Sequence, residues 1–365
     1  MKIAHLVLSN VYAGIEQHVN ELILEQQKEC EVILICNAEI EDKFDSSNIV
    51  IIKNFSRKSP LGLLKLFLLI KKMNLDLIHT HGSKTSSIIN LIRKLINIKH
   101  VATAHGIKKK ATPFLKADRL IAVSSKIQDS IQRDSIKINN WWSPILPNNL
   151  NKKSKNVIAV GRLEKVKGFD LLIESWKNIS SNLIIIGSGK EHSHLTQLII
   201  NLGLDDRIQI INEVSQNKLI EYYQQASMLV VSSRNEGGPR VALEALYLKI
   251  PVISTDVGHM SEILPKELLA KPNDLASLTD LVERYVGNHN YNQEAIYQYI
   301  AEEFSLSAKA HQTIDVIKNY SYLNEIAGSS FAAFLAGQIP KNKPTIAEKV
   351  IEPIIALNGI AKGQS

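Results

Sequence analysis

The residues best suited to chemistry lie in two glycine-bearing loops, each leaving an apolar run. The longer signal is Ser232-Ser233-Arg234-Asn235-Glu236-Gly237-Gly238-Pro239-Arg240-Val241-Ala242-Leu243-Glu244-Ala245-Leu246. It leaves a strand-like run, turns through Gly237 and Gly238, and enters a helical pattern with Pro239 near its start, where a missing N–H costs little. A helix beginning there would aim backbone N–H groups and the positive end of its dipole at an anion. Glu244 falls in an otherwise apolar turn, and a buried carboxylate needs donors. Sugar hydroxyls would supply them, and so would Arg240, four residues earlier on the same helix face. The spacing leaves both open.

The second loop is Val160-Gly161-Arg162-Leu163-Glu164-Lys165-Val166-Lys167-Gly168. Arg162 offers a planar fork for phosphate oxygens and Lys167 a mobile point charge, so together they could neutralise a diphosphate. A basic loop also fits plain solvated surface. Near the start, Asn10-Val11-Tyr12-Ala13-Gly14-Ile15-Glu16 joins a strand to a helix, and Gly14 would let its N–H approach a phosphate closely. The same glycine suits an ordinary tight turn. His105-Gly106 ends another strand, where a lone histidine is as readily structural as catalytic.

These loops must be held by a scaffold, and the chain supplies one twice. Strand-like runs at Ile3–Leu8, Val32–Cys36, Ile49–Ile52, Leu77–His81, Val101–His105 and Leu120–Ser124 alternate with helical patterns such as Glu16–Lys28, Leu61–Met73 and Thr85–Ile96. That rhythm predicts a parallel sheet covered by helices. A polar stretch from Asn148 to Asn156 interrupts it, and strands resume at Val157–Val160, Leu183–Ile186, Ile208–Ile211, Met228–Ser232 and Val252–Thr255. The expectation is an α/β chain of two doubly wound domains, 1–150 and 151–324, facing a ligand cleft. Residues 325–365, with three prolines and no periodicity, form a tail of uncertain structure.

Bulk properties narrow the function class. Of 365 residues, 45% are hydrophobic and 22% charged, which suits a folded, water-soluble chain of two domains. Cys30 and Cys36 are the only cysteines, and neither they nor any histidine spacing completes a zinc site, so no metal and a reducing cytoplasm are expected. No stretch reaches the length of a membrane span. The net charge of +7 is uneven, because residues 1–150 hold 21 basic against 13 acidic residues. Between Lys53 and Lys116 there are 14 basic residues and one acid, Asp76, which predicts a local positive field. Leu61–Lys72 within it is strongly apolar with basic residues, and Lys108-Lys109-Lys110 follows His105. Both fit an anionic membrane surface on the inner face of the cytoplasmic membrane, and Leu61–Lys72 equally fits a helix that covers the sheet. Aromatic residues are only 6% and no nucleic-acid module is visible, so a nucleic-acid binder is a poor alternative.

Taken together and in this order, the loops resemble the family-four retaining glycosyltransferases of the GT-B fold, over roughly residues 1–320. Glu236 and Glu244 form the family's Glu-x7-Glu pair, and Arg162 and Lys167 stand in its Gly-Arg-Leu-x-x-x-Lys-Gly. The resemblance implies two Rossmann-like domains, with a helix returning toward the first. It implies a nucleotide-sugar donor, most simply a UDP-sugar. Glu236 would hold hydroxyls of the transferred sugar, and Glu244 the ribose. Arg162 and Lys167 would bind the diphosphate, and Gly14 would touch it through its backbone. Gly237 and Gly238 would contribute to the donor site, and His105 would lie beside the sugar. The acceptor would be a glycan or lipid-linked glycan, as in lipopolysaccharide or other surface polysaccharide synthesis. No Asp-x-Asp occurs, so the resemblance implies no metal and no cofactor. Gly237-Gly238-Pro239 departs from the family's more frequent Gly-Phe-Gly, and Pro239 removes one backbone donor. A nucleotide-sugar epimerase of the same architecture is the other reading, and it would act without an acceptor.

Overall fold

The computed structural model describes residues 1–46, 48–107, 111–147, 156–287 and 293–326, with the backbone alone for 319–326. Lys108–Lys110, residues 148–155 of the polar stretch and the tail beyond 326 lie outside the described residues. The chain forms two compact units, each built on a parallel sheet. Met1–Asn140 and Leu306–Ile326 make the first, and Trp141–Ser305 makes the second. The division thus falls at Asn140/Trp141, ahead of the polar stretch where the sequence suggested a boundary.

In the first unit the strands are β1 (Lys2–Leu6), β2 (Glu31–Cys36), β3 (Ile49–Ile51), β4 (Leu77–His81), β5 (Lys99–Ala104), β6 (Arg119–Ala122) and β7 (Ile136–Lys137). They lie in the order β3-β2-β1-β4-β5-β6-β7, every pair parallel. Helices α1 (Gly14–Gln26), α2 (Pro60–Met73), α3 (Gly82–Ile96) and α4 (Ser125–Ile131) make the connections. The order reverses between β1 and β4, so the C-terminal ends of these two strands form the sheet's switch point, where open α/β sheets receive ligands.

The second unit repeats the plan. Its strands are β8 (Asn156–Val160), β9 (Leu183–Ile186), β10 (Ile208–Ile211), β11 (Ala226–Val231), β12 (Val252–Thr255) and β13 (Leu269–Ala270), in the order β10-β9-β8-β11-β12-β13. Around them lie α5 (Phe169–Ser175), α6 (His192–Asn201), α7 (Gln216–Gln225), α8 (Arg240–Tyr247), α9 (Met260–Ile263), α10 (Leu275–Tyr285) and α11 (Glu294–Glu303). Trp176, Leu172 and Ile173 are sealed in its core with the β-branched residues of the central strands. Buried on both faces, these strands read as continuous apolar runs, which is why the sequence located them closely. Here the switch point lies between β8 and β11.

A last helix, α12 (Leu306–Ile326), belongs to the first unit. Its Val316 and Ile317 pack on Ile3, Leu77, Val101 and Ile121 from four neighbouring strands. Lys318 and His311 both reach Glu29, at 2.6 and 3.2 Å.

Candidate active site

The two sequence loops leave adjacent strands at the second unit's switch point. Gly161 and Arg162 follow β8, and Ser232 to Gly238 follow β11. A positive-φ turn holds the first loop: Gly168 sits at φ +67°, and a Cβ there would lie 2.2 Å from the Ser232 carbonyl oxygen. The two loops are stitched together by Ser232 Oγ donating to the Lys167 carbonyl at 2.9 Å and by the Arg234 N–H donating to the Val166 carbonyl at 2.8 Å. Arg234 also grips Asp170 at the start of α5 with two parallel bonds of 2.7 Å. Burial alone would push the Asp170 carboxyl up, but the hydrogen bonds and charge of Arg234 outweigh it and hold the group below its ordinary value.

This framework brings Lys167 and Glu236 into direct contact. Lys167 Nζ donates to Glu236 Oε1, the two side chains being 18% and 17% exposed. Ser233 Oγ donates to the same oxygen at 2.9 Å. The lysine stem runs past Gly161, 3.2 Å from where a Cβ would project, so that glycine clears its path. Arg162 is 60% exposed and donates to Glu164 at 2.7 Å, so its guanidinium is held at the mouth of the loop. Across the β11 loop, Gly258 at φ +54° presses against Gly237 and Gly238; its Cβ would meet the Gly237 carbonyl at 2.8 Å.

Pro239 is the N-cap of α8, at the helix start the sequence suggested, and its side chain makes no capping hydrogen bond. Glu244 is 4% exposed. Tyr223 donates to its Oε2 at 2.8 Å, and Gln216 Nε2 reaches Oε1 at 3.4 Å. Burial, then the charge of Glu244 and this hydrogen bond, raise the Tyr223 phenol well above its ordinary range, so it remains a donor. Arg240 donates to the Trp141 carbonyl at 3.2 Å and lies over the Trp141 ring. Tyr223, Gln216 and the Arg234–Asp170 clamp were not legible as site residues, because their partners are distant in sequence; Ser233 meets Glu236 only three residues on, through the turn of the loop itself.

Gly14 and His105 lie in the first unit. Gly14 opens α1 with nothing within 4 Å of where a Cβ would stand, so nothing in its own unit requires glycine there. The turn is fixed instead by the Ala13 N–H, which donates to Glu16 at 3.0 Å. His105 follows β5 and is one of five histidines gathered at this switch point with His5, His18, His79 and His81. His5 and His79 are register partners on β1 and β4, and His81 lies two residues on, on the same side of its strand. Gln26 Oε1 accepts from His5 Nε2 at 2.8 Å; His5 Nδ1 meets His81 Nε2 at 3.0 Å, and His81 Nδ1 meets His105 Nε2 at 3.1 Å. Burial lowers the pKa of His5 to about 4 and drives His79 and His81 well below the usual imidazole value, with neighbouring histidines adding to the effect on the latter two. The sequence signal for this cluster was the His79-Thr80-His81 triplet inside a wholly buried central strand, where polar residues demand partners.

Comparison with known proteins matches this architecture. The model for "Glycosyltransferase Family 4" matches residues 12–139, and that for "Glycosyl transferases group 1" matches residues 146–302. The chain belongs to the group 1, family-four glycosyltransferases. Among its relatives is the Bacillus subtilis protein TuaC, named for a glycosyltransferase of teichuronic acid biosynthesis, 26% identical over 64% of this chain and 68% of that protein. The lipopolysaccharide outer core galactosyltransferase WaaB superposes with a TM-score of 0.71 at 20% identity, covering 88% of this chain and 100% of that one. Anabaena HepE, solved with UDP-glucose, gives 0.74 at 17% identity over 87% of this chain and 100% of that one. The fold of this glycosyltransferase is GT-B, with two Rossmann-like α/β domains. Among the described residues, none of its helices is long and apolar enough to cross a membrane.

Proposed function

We propose that this glycosyltransferase moves a sugar, with retention of configuration, from a UDP-sugar to a glycan or lipid-linked glycan in cell-surface polysaccharide synthesis. The observation that carries the reading is the Lys167–Glu236 contact at the second sheet's switch point, beside the loop that presents Arg162. A lysine and a carboxylate at strand ends, flanked by an uncapped helix start, suit a sugar diphosphate: the cation and helix dipole take the phosphates, and the carboxylate takes the hydroxyls. Bound UDP-glucose in HepE and the surface-polymer names of TuaC and WaaB favour this donor and acceptor class.

In this scheme Arg162 and Lys167 neutralise the leaving diphosphate without a divalent cation. Glu236 positions the sugar, Glu244 holds the ribose, and Gly237 and Gly238 border the donor. Gly14 and His105 contribute from the first unit. The acceptor oxygen forms its bond to the anomeric carbon on the face from which the phosphate departs, and its proton passes to the departing phosphate oxygen. No protein nucleophile is needed, so Glu236 is not half of a glycosidase-type carboxylate pair.

We place the enzyme in the cytoplasm, peripheral on the membrane. The support is α2, which buries Leu66 and Ile70 but exposes Leu61, Leu64 and Leu68 by 72%, 53% and 56%. Lys65, Lys71 and Lys72 on the same helix are also exposed. The sheet-covering and lipid-facing readings of this helix thus occupy different faces.

The test is a panel of nucleotide sugars with lipid-linked and free glycan acceptors, the product's anomeric configuration read by NMR. The α-linked product from an α-donor, formed equally with EDTA and with added Mg²⁺ or Mn²⁺, is expected. An inverted product would overturn the retaining assignment, and dependence on Mg²⁺ or Mn²⁺ would overturn the metal-free handling of the diphosphate. Donor isomerised to a free sugar with no acceptor present would show an epimerase instead.

A further inference from the structure

Four side chains of the first unit join into one hydrogen-bonded line that crosses the sheet and ends at His105. Gln26 is the last residue of α1, His5 lies on β1, His81 ends β4 and His105 follows β5. These strands are neighbours in the order β1-β4-β5, so each histidine stands one strand further along than the last. Gln26 Oε1 lies 2.8 Å from His5 Nε2, His5 Nδ1 lies 3.0 Å from His81 Nε2, and His81 Nδ1 lies 3.1 Å from His105 Nε2. Gln26, His5 and His81 are 0%, 0% and 5% exposed, so water does not compete for these bonds. Apolar side chains at positions 5 and 26 would pack the same core without the cost of burying polar groups.

Such a line has a direction. Burial holds His5 and His81 neutral at neutral pH, and a neutral imidazole has one N–H and one bare nitrogen. Gln26 Oε1 can only accept, so His5 carries its hydrogen on Nε2 and leaves Nδ1 bare. His81 then donates from Nε2, which leaves its own Nδ1 bare. His105 in turn donates to that nitrogen from its Nε2.

We propose that Gln26, His5 and His81 are positioning residues that hold His105 in the tautomer with hydrogen on Nε2, so that its Nδ1 meets a hydroxyl of the transferred sugar as an acceptor. This role rests on the reading above that places His105 beside that sugar. Which ring nitrogen of a histidine carries the proton is set by the bond that the other nitrogen makes. The reverse tautomer would put an N–H where the sugar's O–H has to donate, and the contact would be lost. The rings are also held in place. His18 stands edge-on to His105 with ring centres 4.6 Å apart, which limits rotation of the His105 ring. His81 is the N-cap of α3, and its carbonyl accepts from Thr85 Oγ1 at 2.7 Å.

The test reads the tautomer directly, in the resting full-length protein labelled with ¹⁵N-histidine. Long-range ¹H–¹⁵N correlation separates protonated from bare ring nitrogens, and the His105 signals are those lost in His105→Asn. Because no substrate is present, this result stands apart from the transferase reading, which fails instead if the parent protein transfers sugar from no nucleotide sugar. The parent should show His105 with hydrogen on Nε2 and a bare Nδ1. Gln26→Met, of similar length but without the amide acceptor, and His5→Leu, which cuts the line one step later, should each leave His105 exchanging between tautomers, with folding checked by circular dichroism. Transfer from UDP-glucose, or from whichever nucleotide sugar the panel above selects, should fall about tenfold in both, the worth of one neutral hydrogen bond. Hydrogen on Nδ1 of His105 in the parent, a tautomer unmoved in both variants, or parental turnover in both would overturn the proposal.

Discussion

The exposed face of α2 makes a quantitative demand on membrane binding. Leu64 and Leu68 leave 53% and 56% of their surface in water. Fully burying a leucine is worth about 1.5–3 kcal/mol, so inserting the exposed halves of these two would contribute about 2–3 kcal/mol. Leu64→Gln/Leu68→Gln should therefore weaken vesicle binding by about 30- to 150-fold. Both residues face solvent, so the fold should hold and Tm should change little. The lysines act differently. Each basic residue near an anionic surface adds about 1 kcal/mol, so replacing Lys65, Lys71 and Lys72 with glutamine should cost roughly 150-fold on anionic vesicles at low salt and almost nothing on neutral ones. That electrostatic part should fade between 0.1 and 1 M salt as the screening length falls from about 10 to 3 Å, while the leucine part persists. Sedimentation with phosphatidylglycerol-containing and pure phosphatidylcholine vesicles at both salts separates the two contributions. On α3, which packs beside α2, Leu91 and Leu95 are also 58% and 75% exposed. Binding of the parent protein to neither vesicle, equal binding to both at low salt, or a leucine pair variant that sediments like the parent would refute the reasoning.

Three further outcomes follow from the second unit. Glu236→Gln and Arg162→Ala should each lower kcat on the order of a hundredfold with the fold intact, since each removes a preorganised charge or hydrogen bond; near-normal turnover in a folded variant would remove that residue from the machinery. Gly168→Ala should lower stability by about 1–3 kcal/mol, because alanine is strained at φ +67° and its methyl collides with the Ser232 carbonyl; a thermal melt unchanged from the parent would contradict this. Asp170 is held below its ordinary value of 3.8 in the folded protein, so its contribution is present above that value and is lost as pH falls through the lowered one. Asp170→Asn should cost roughly 1 kcal/mol at pH 7, given a partly exposed pair, and should flatten the acid limb of urea stability below about pH 4; parallel pH curves for the two proteins would show that the Arg234 clamp does not carry this dependence.

Much of this molecule was written locally. Strands in the sheet interior are runs of β-branched residues, so Leu183–Ile186 and Val252–Thr255 emerge with the bounds the pattern predicts, as does the edge strand Ile208–Ile211, whose Gln209 is exposed. Short pieces such as β7, β13 and α4 were missed, because two to seven residues carry too little periodicity to stand out from a loop. The loops bearing Arg162, Lys167, Glu236 and Glu244 could be placed at strand ends by the same pattern. What the sequence could not state is who meets whom. Lys167 and Glu236 are 69 residues apart, and Tyr223 reaches Glu244 across 21. His5 and His81 are separated by 76 residues, and they touch because β1 and β4 are parallel neighbours in register. Hydrophobic period is a property of a few consecutive residues, whereas these contacts depend on strand order and register, which exist only once the sheet has closed.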